Sequence, residues 1–199
     1  MVRKFWLACS FPLVVACHHG DKTELKYVSP PPSQESVASA APAASAPSAD
    51  PKALLAVGAD MPDVSAVAQD GKTVKLRELK GKPVVVYFYP KDDTPGCTIE
   101  AKEIRDLYSE LQSRAVVLGV SSDNQDSHQA FATKYQLPFL LLDDSSHTLA
   151  NAFGVPLSNG YAHRITFVLD GAGKVRKVFP NVDPHGHGAE VLEALKSLS

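Results

Sequence analysis

One stretch of this sequence concentrates groups able to do chemistry: Tyr89 to Asp106, YPKDDTPGCTIEAKEIRD. Two prolines, Pro90 and Pro95, bracket a polar turn, and Cys97 sits where that turn runs into a helical pattern. A helix start offers N–H groups without partners and a partial positive charge, both of which favour a thiolate. The thiolate is the nucleophile of cysteine chemistry. Thr94, just upstream, brings a hydroxyl able to donate to and accept from a small bound molecule. The prolines stiffen the turn. An unpaired cysteine is also often a small buried hydrophobe, but the polar, proline-flanked setting favours the reactive reading. Thr94, taken alone, is equally well a turn or cap residue.

These residues need elements to position them, and the pattern from about Lys52 to Ser199 alternates strand and helix. DVSAVAQDGKTVKL (63–76) alternates in polarity around Asp70-Gly71, a short-range hairpin signal. PVVVYFY (83–89) is a continuous β-branched and aromatic run, as expected of a central strand buried on both faces. A helical pattern follows from Cys97 to about Ser113, with Ile99, Ile104, Leu107, Tyr108 and Leu111 as its apolar positions. AVVLGVSS (115–122) reads as another buried strand, and 124–136 as a helix with Asn124 or Asp123 at its N-cap. PFLLLDD (138–144) gives a short strand, and 146–154 a helix stopped by Gly154. RITFVLDGAGKVRKVF (164–179) is a second hairpin turning at Asp170–Gly173, and GAEVLEALKSL (188–198) a closing helix. Hairpins mixed with βαβ crossovers predict an α/β fold with a mixed central sheet and helices on both faces, a thioredoxin-like arrangement.

The chain has 199 residues, 44% of them hydrophobic, with a formal charge of −2, enough for one domain with a core plus extra segments. The balanced charge gives no bias toward nucleic acid or anionic membrane. The sequence carries no phosphate-cradling glycine pattern and no zinc-ligand spacing, so neither a cofactor nor a metal is expected.

The three cysteines, Cys9, Cys17 and Cys97, belong to different parts of the chain. Residues 1–16, MVRKFWLACSFPLVVA, have a basic start and then an apolar run shorter than the roughly 20 residues of a membrane span, which suits a secretory signal. LVVAC (13–17) resembles the bacterial lipobox. That resemblance implies cleavage before Cys17 and lipid on its sulfur, with several acyl chains giving a stable anchor. The alternative is an ordinary signal peptide cleaved nearby, leaving Cys17 free. Residues 17–51 follow as a tether whose stretch from Ser29 to Pro51 is almost wholly Ser, Ala and Pro. It has too little apolar surface to offset the entropy of ordering, and about 30 such residues hold a domain some tens of Å from its anchor. The expected location is the periplasmic side of a bacterial membrane. His18 and His19 fall beside the lipid site and have no specific role.

PKDDTPGC fits the peroxiredoxin signature P-x-x-x-T-x-x-C at Pro90, Thr94 and Cys97. With Glu100, Arg105 and Asp106 after it, the stretch resembles the bacterioferritin comigratory protein (PrxQ) subgroup. The likeness continues through GVSSD (119–123), FATKYQLPFLLLDD (131–144), FGV (153–155) and RITFVLD (164–170), and so covers the whole domain and none of the leader or tether. The resemblance implies that Cys97 attacks the terminal oxygen of a peroxide and becomes a sulfenic acid. It implies that Thr94 hydrogen-bonds the peroxide, that Pro90 shields the pocket, and that Arg164 stabilises the thiolate and the departing oxygen. It also implies that Glu100 orients Arg164 and that Arg105 supports the site. His187 falls where the subgroup carries a histidine, so HGHG (185–188) is read as capping or packing in preference to a metal site.

Two departures stand out. Many PrxQ proteins carry a resolving cysteine in C-T-x-E-A-C, where this chain has CTIEAK, with Lys102. With no second cysteine in the domain, the expected cycle is one-cysteine: an external thiol reduces Cys97 through a mixed disulfide. The donor is a periplasmic thioredoxin-like protein or a low-molecular-weight thiol, and the substrates are hydrogen peroxide and organic hydroperoxides. Only an unlipidated Cys17 could replace that donor. The second departure, VPLSNGYAH (155–163), is shorter than the family's usual loop and bears on substrate access. Three other functions share this fold or its cysteine chemistry. A disulfide reductase wants C-x-x-C, and position 94 is threonine; a copper-delivery module wants paired cysteines; a catalytically silent binding or chaperone module fits less well with Pro90, Thr94, Cys97 and Arg164 all present.

Overall fold

The computed structural model describes residues 53–198. The expected leader at 1–16, the expected lipid site Cys17, His18, His19 and the expected tether up to residue 51 lie outside the described residues.

The elements follow the predicted order. β1 (Ser65–Ala68) and β2 (Thr73–Lys75) form the first hairpin, turning with Gly71 at φ +82°. After a 3-10 turn at Leu76–Leu79, β3 (Val84–Phe88) runs into α1 (Pro95–Asp106), α2 (Tyr108–Arg114) and β4 (Val116–Ser121). α3 (Gln125–Tyr135), β5 (Leu140–Asp143) and α4 (Thr148–Phe153) come next, then a small pair, β6 (Leu157–Ser158) and β7 (Tyr161–Ala162). β8 (Ile165–Leu169), β9 (Val175–Phe179) and α5 (His187–Lys196) close the chain. The main sheet has the order β2-β1-β5-β4-β3-β8-β9. β3, β4 and β5 are parallel and the other pairs antiparallel, which makes the sheet mixed.

β3 lies centrally because its run has no polar face to offer water. Val84, Val86 and Phe88 join one core with Leu118, Phe153 and Phe167. Val85 and Tyr87 join the other, with Ile104, Leu111, Phe131 and Leu192. Each such side chain removed from water contributes about 1.5–3 kcal/mol, so both faces must be covered. α4 supplies the first layer, and α1, α2, α3 and α5 the second. The fold is therefore thioredoxin-like α/β, with helices on both faces.

The structure refines the sequence reading in three places. The helix expected from Cys97 to Ser113 begins earlier, at Pro95, and breaks at Leu107 (φ −99°, ψ 4°) into α1 and α2. Proline at the first helical position explains the early start, since its fixed φ suits that site and its missing N–H is no loss there. Of the two N-cap candidates for α3 it is Asn124, whose side-chain oxygen accepts from the Ser127 amide at 3.0 Å. The short segment before Arg164 is a hairpin, β6–β7, turning through Asn159 and Gly160 at φ +53° and +81°. Two consecutive left-handed residues are the turn that Asn-Gly favours.

Candidate active site

β3 delivers the chain to the site: the Tyr89 amide still pairs with the Val120 carbonyl at 3.0 Å, and Pro90 then ends the ladder. The turn that follows is held from the side by α3. Asp93 adopts a left-handed backbone (φ +57°), and its carboxylate accepts from Lys134 Nζ at 2.6 Å and from the Tyr135 hydroxyl at 2.6 Å. Thr94 is the N-cap of α1 by its extended backbone (φ −84°, ψ 153°), and its carbonyl accepts from the Thr98 amide at 2.9 Å. Its hydroxyl does not cap the helix; it donates to the Lys91 carbonyl at 3.0 Å, keeping lone pairs for another donor.

Cys97 falls in the first turn of α1, where backbone N–H groups lack helical partners. It is 2% exposed and is the one free cysteine among the described residues. Arg164, immediately before β8, reaches across: Nη2 donates to Cys97 Sγ at 3.3 Å, while Nη1 donates to Glu100 Oε2. Glu100 and Cys97 share one side of α1, so the single guanidinium of Arg164 serves both. Burial works against charge on Arg164, but Glu100 and the Cys97 sulfur outweigh it and hold its pKa above the ordinary value. Glu100 is completely buried, and burial pushes its carboxyl up to about 7 against the opposing pull of Arg164.

His187, at the start of α5, stands behind this pair. Its Nε2 lies 2.8 Å from Thr166 Oγ1 and 3.9 Å from Glu100 Oε1, and its Nδ1 lies 3.3 Å from Glu190 Oε2. Glu100 Oε1 is buried without a hydrogen-bond partner. Burial holds the His187 pKa below its usual value, only partly opposed by Glu190. His185 is exposed and makes a local turn with Asp183, so the two histidines of HGHG do not converge. Packing and helix-start placement is the structural role found for His187.

The remaining candidates take distinct places. Pro90 and Arg164 line an open cleft of about 680 Å³ whose other walls are Ser158, Tyr161 and the turn at Asn181–Asp183. Lys91 Nζ sits 5.5 Å over the Tyr161 ring at its rim. Arg105 binds elsewhere: Nη1 donates to the Tyr135 carbonyl at 2.9 Å, bracing α1 against the end of α3. Lys102, where a resolving cysteine would stand, places Nζ 5.1 Å from the centre of the Tyr135 ring. The structure thus brings Arg164 into direct contact with Cys97 and Glu100, sets Thr94 at the N-cap of the same helix and Pro90 in the cleft beside Arg164, and gives Arg105 a bracing contact with the end of α3. Sequence reasoning missed the cleft wall made by Tyr161 and the buried contact between His187 and Glu100.

With this geometry in hand, the likeness to known proteins falls on the same elements. Residues 57–178 match the AhpC/TSA family. Peroxiredoxin Bcp of Bacillus subtilis is 42% identical over 153 residues, covering 73% of this chain and 98% of that protein. Among solved structures, the peroxidoxin BcpB of Mycobacterium tuberculosis superposes with a TM-score of 0.68 at 33% identity, over 73% of this chain and 99% of that one. The bacterioferritin comigratory protein of Xanthomonas campestris, studied for alkyl peroxide reduction, gives 0.67 at 34% identity, over 74% and 99%. The chain belongs to the AhpC/TSA family, within the Bcp/PrxQ peroxiredoxins, a family of thiol peroxidases.

Proposed function

We propose that this chain is a one-cysteine thiol peroxidase that acts outside the cytoplasm, anchored by lipid on Cys17. The observation that carries the chemistry is the bridge from Glu100 through Arg164 to Cys97 Sγ, in a domain with no second thiol. The Cys97 thiolate attacks the terminal oxygen of a hydroperoxide. An S–O bond forms as the O–O bond breaks, the sulfur loses two electrons, and the departing oxygen takes a proton to leave as water or an alcohol. Arg164, fixed by Glu100, stabilises the charge that develops on that oxygen, and the Thr94 hydroxyl positions the peroxide. The product is a Cys97 sulfenic acid.

Reduction then comes from outside the domain. An external thiol attacks the sulfenic sulfur and expels water, giving a mixed disulfide; a second thiol releases Cys97 and leaves with the first as a disulfide. The sum is one hydroperoxide and two thiols converted to one alcohol or water, one water and one disulfide. A periplasmic thioredoxin-like protein fits the donor role, and hydrogen peroxide and organic hydroperoxides fit the substrate role.

The test is quenched-flow oxidation of the reduced full chain by hydrogen peroxide and by a small organic hydroperoxide. The Cys97 peptide is weighed for thiol, sulfenic acid and mixed disulfide, with Cys97→Ser as control. Sulfenic acid forming orders of magnitude faster than on a free thiol supports the reading. Oxidation no faster than a free thiol would replace it with the catalytically silent binding module.

A further inference from the structure

A second buried polar cluster sits in the same loop, five residues upstream of Cys97, and the peroxide chemistry leaves it unused. Asp92 is 6% exposed. Its Oδ1 accepts from the Tyr89 hydroxyl at 2.7 Å, and its Oδ2 accepts from the Ser127 hydroxyl at 2.8 Å. The same Oδ2 lies 2.9 Å from Nδ1 of His128, a fully buried residue of α3. The other ring nitrogen of His128, Nε2, lies 3.1 Å from the Leu142 carbonyl oxygen on β5.

With Asp92 ionised, donors and acceptors here leave one consistent assignment. A backbone carbonyl can only accept, so Nε2 carries a hydrogen. The Asp92 carboxylate already takes two hydroxyl hydrogens and is an acceptor toward Nδ1 as well. A neutral ring has a single N–H and would set two lone pairs against each other inside the protein, at the cost of a buried unsatisfied group. Both nitrogens therefore donate, and His128 is an imidazolium compensated by Asp92. Breaking such a pair by removing one partner leaves an uncompensated buried charge.

The pair lies where the loop needs fixing. The Asp92 amide donates to Asp123 Oδ2 at 2.9 Å, and Ser121 Oγ donates to that same oxygen at 2.7 Å. One loop residue is thus bound to the end of β4, to α3, and through His128 to β5. Thr94 and Cys97 follow within the next turn of chain.

We propose that His128 is a positioning residue for the Cys97 centre: doubly protonated, it locks Asp92 and so fixes the loop that presents Thr94 and shields the sulfur. The inference rests on the peroxidase reading. Loosening the loop has opposite effects on two reactions of the same atom. Peroxide reduction slows, because a misplacement of about 1 Å can cost up to about a hundredfold. Alkylation by iodoacetamide, which needs only exposure of a sulfur now shielded, speeds up.

The experiment compares the full chain with its His128→Gln and Ser127→Ala variants. Three readouts are taken: Cys97 oxidation by hydrogen peroxide, Cys97 alkylation by iodoacetamide, and amide exchange across 90–97 against β3 and β4. Ring nitrogen shifts in the unmutated chain report the state of His128. We expect two protonated ring nitrogens, and in His128→Gln an oxidation rate lower by about tenfold or more with faster alkylation. Exchange should rise at 90–97 and stay unchanged in β3 and β4. Ser127→Ala, which removes one bond and leaves the pair, should move the same way by a smaller factor, and it decides alone if His128→Gln does not fold. A neutral ring, unchanged rates in a folded variant, or loss of protection spread through β3 and β4 would overturn the proposal. Slow oxidation of the unmutated chain sinks the peroxidase reading instead, while alkylation and exchange still report on the loop.

Discussion

Nη2 of Arg164 donates to Sγ of Cys97 at 3.3 Å, joining two residues 67 apart in the chain. The contact exists because β8 pairs with β3 in antiparallel register, with Ile165 beside Phe88. That register places the residue before Ile165 at the end of the sheet from which β3 leads into α1. Arg164→Gln should therefore slow Cys97 oxidation by about a hundredfold, the scale for losing one donor to a developing oxyanion. Arg164→Lys should recover only part of the rate, since one ammonium lacks the planar fork that spans Glu100 and the sulfur together. Second-order rates of Cys97 oxidation check both.

Glu100 makes a prediction with two readouts. Its carboxyl, ordinarily near 4.5, titrates at about 7 in the folded chain because burial disfavours its charge. The folded state thus holds this proton more tightly than the unfolded state. Its contribution to stability is full below pH 4.5 and is lost as pH rises to about 7, by about 3 kcal/mol. Glu100→Gln removes that dependence, so denaturation at pH 5 and pH 8 should show the wild type losing stability relative to the variant. Activity should move the other way. As pH falls through about 7, Glu100 protonates and Arg164 loses its anionic partner, so the oxidation rate should fall, and that limb should flatten in Glu100→Gln.

How far the sequence discloses this site depends on the range of the interactions involved. The β3 run, the helix start after Pro95 and the Asp70-Gly71 turn are local features, so composition and period reveal them. Cys97 and Thr94 are local to one turn as well. Arg164 lies at a strand end where a surface charge would read the same, and only family resemblance separates the two. His128 belongs to the same helical face as Phe131 and Ala132, all three buried. A polar residue on an apolar stripe was the available signal, but its partner Asp92 lies 36 positions upstream, where no period points. The Asn159-Gly160 turn was readable as a hairpin signal, though its two-residue strands give almost no alternation to support it.

The packing of α5 on α1 carries a stability prediction. A Cβ added at Gly188 would come within 2.9 Å of the Glu103 carbonyl oxygen, a backbone atom that cannot swing aside. The Gly186 amide meanwhile donates to Glu103 Oε2 at 2.6 Å, holding the same two elements together. Gly188→Ala must push α5 from α1 and should destabilise the domain by about 1–3 kcal/mol. It also shifts His187, so a measurable loss of Cys97 oxidation should accompany the lower denaturation midpoint.

The anchor is tested apart from the chemistry. If Cys17 is the lipid site, a chain expressed with labelled fatty acid should carry the label and sediment with membranes, and Cys17→Ala should lose both. The Cys97 oxidation rate should stay unchanged, because the variant keeps Cys97, Arg164 and Glu100 with the contacts that join them. Label retained in Cys17→Ala would remove the lipobox reading.

Residues five apart on an α-helix are separated by about 7.5 Å of rise alone, beyond the roughly 7 Å limit across which a disulfide closes without backbone movement. A thiol at position 102 can reach Cys97 only if the first turns of α1 unwind. The helix is held at both ends: Asp93, just before it, binds Lys134 and Tyr135, and Arg105 in its last turn donates to the Tyr135 carbonyl. Lys102 adds its own cation–π contact with Tyr135, worth about 0.5–1 kcal/mol at an exposed site. Lys102→Cys removes that contact and supplies the thiol. After one equivalent of peroxide, the variant should form a 97–102 disulfide with loss of helical circular dichroism. The unmodified chain should keep its helix and hold a sulfenic acid that an added thiol reduces. A persistent sulfenic acid in Lys102→Cys with full helicity would mean that the Asp93 and Arg105 contacts alone keep α1 closed, and Asp93→Ala in that background should then release the disulfide.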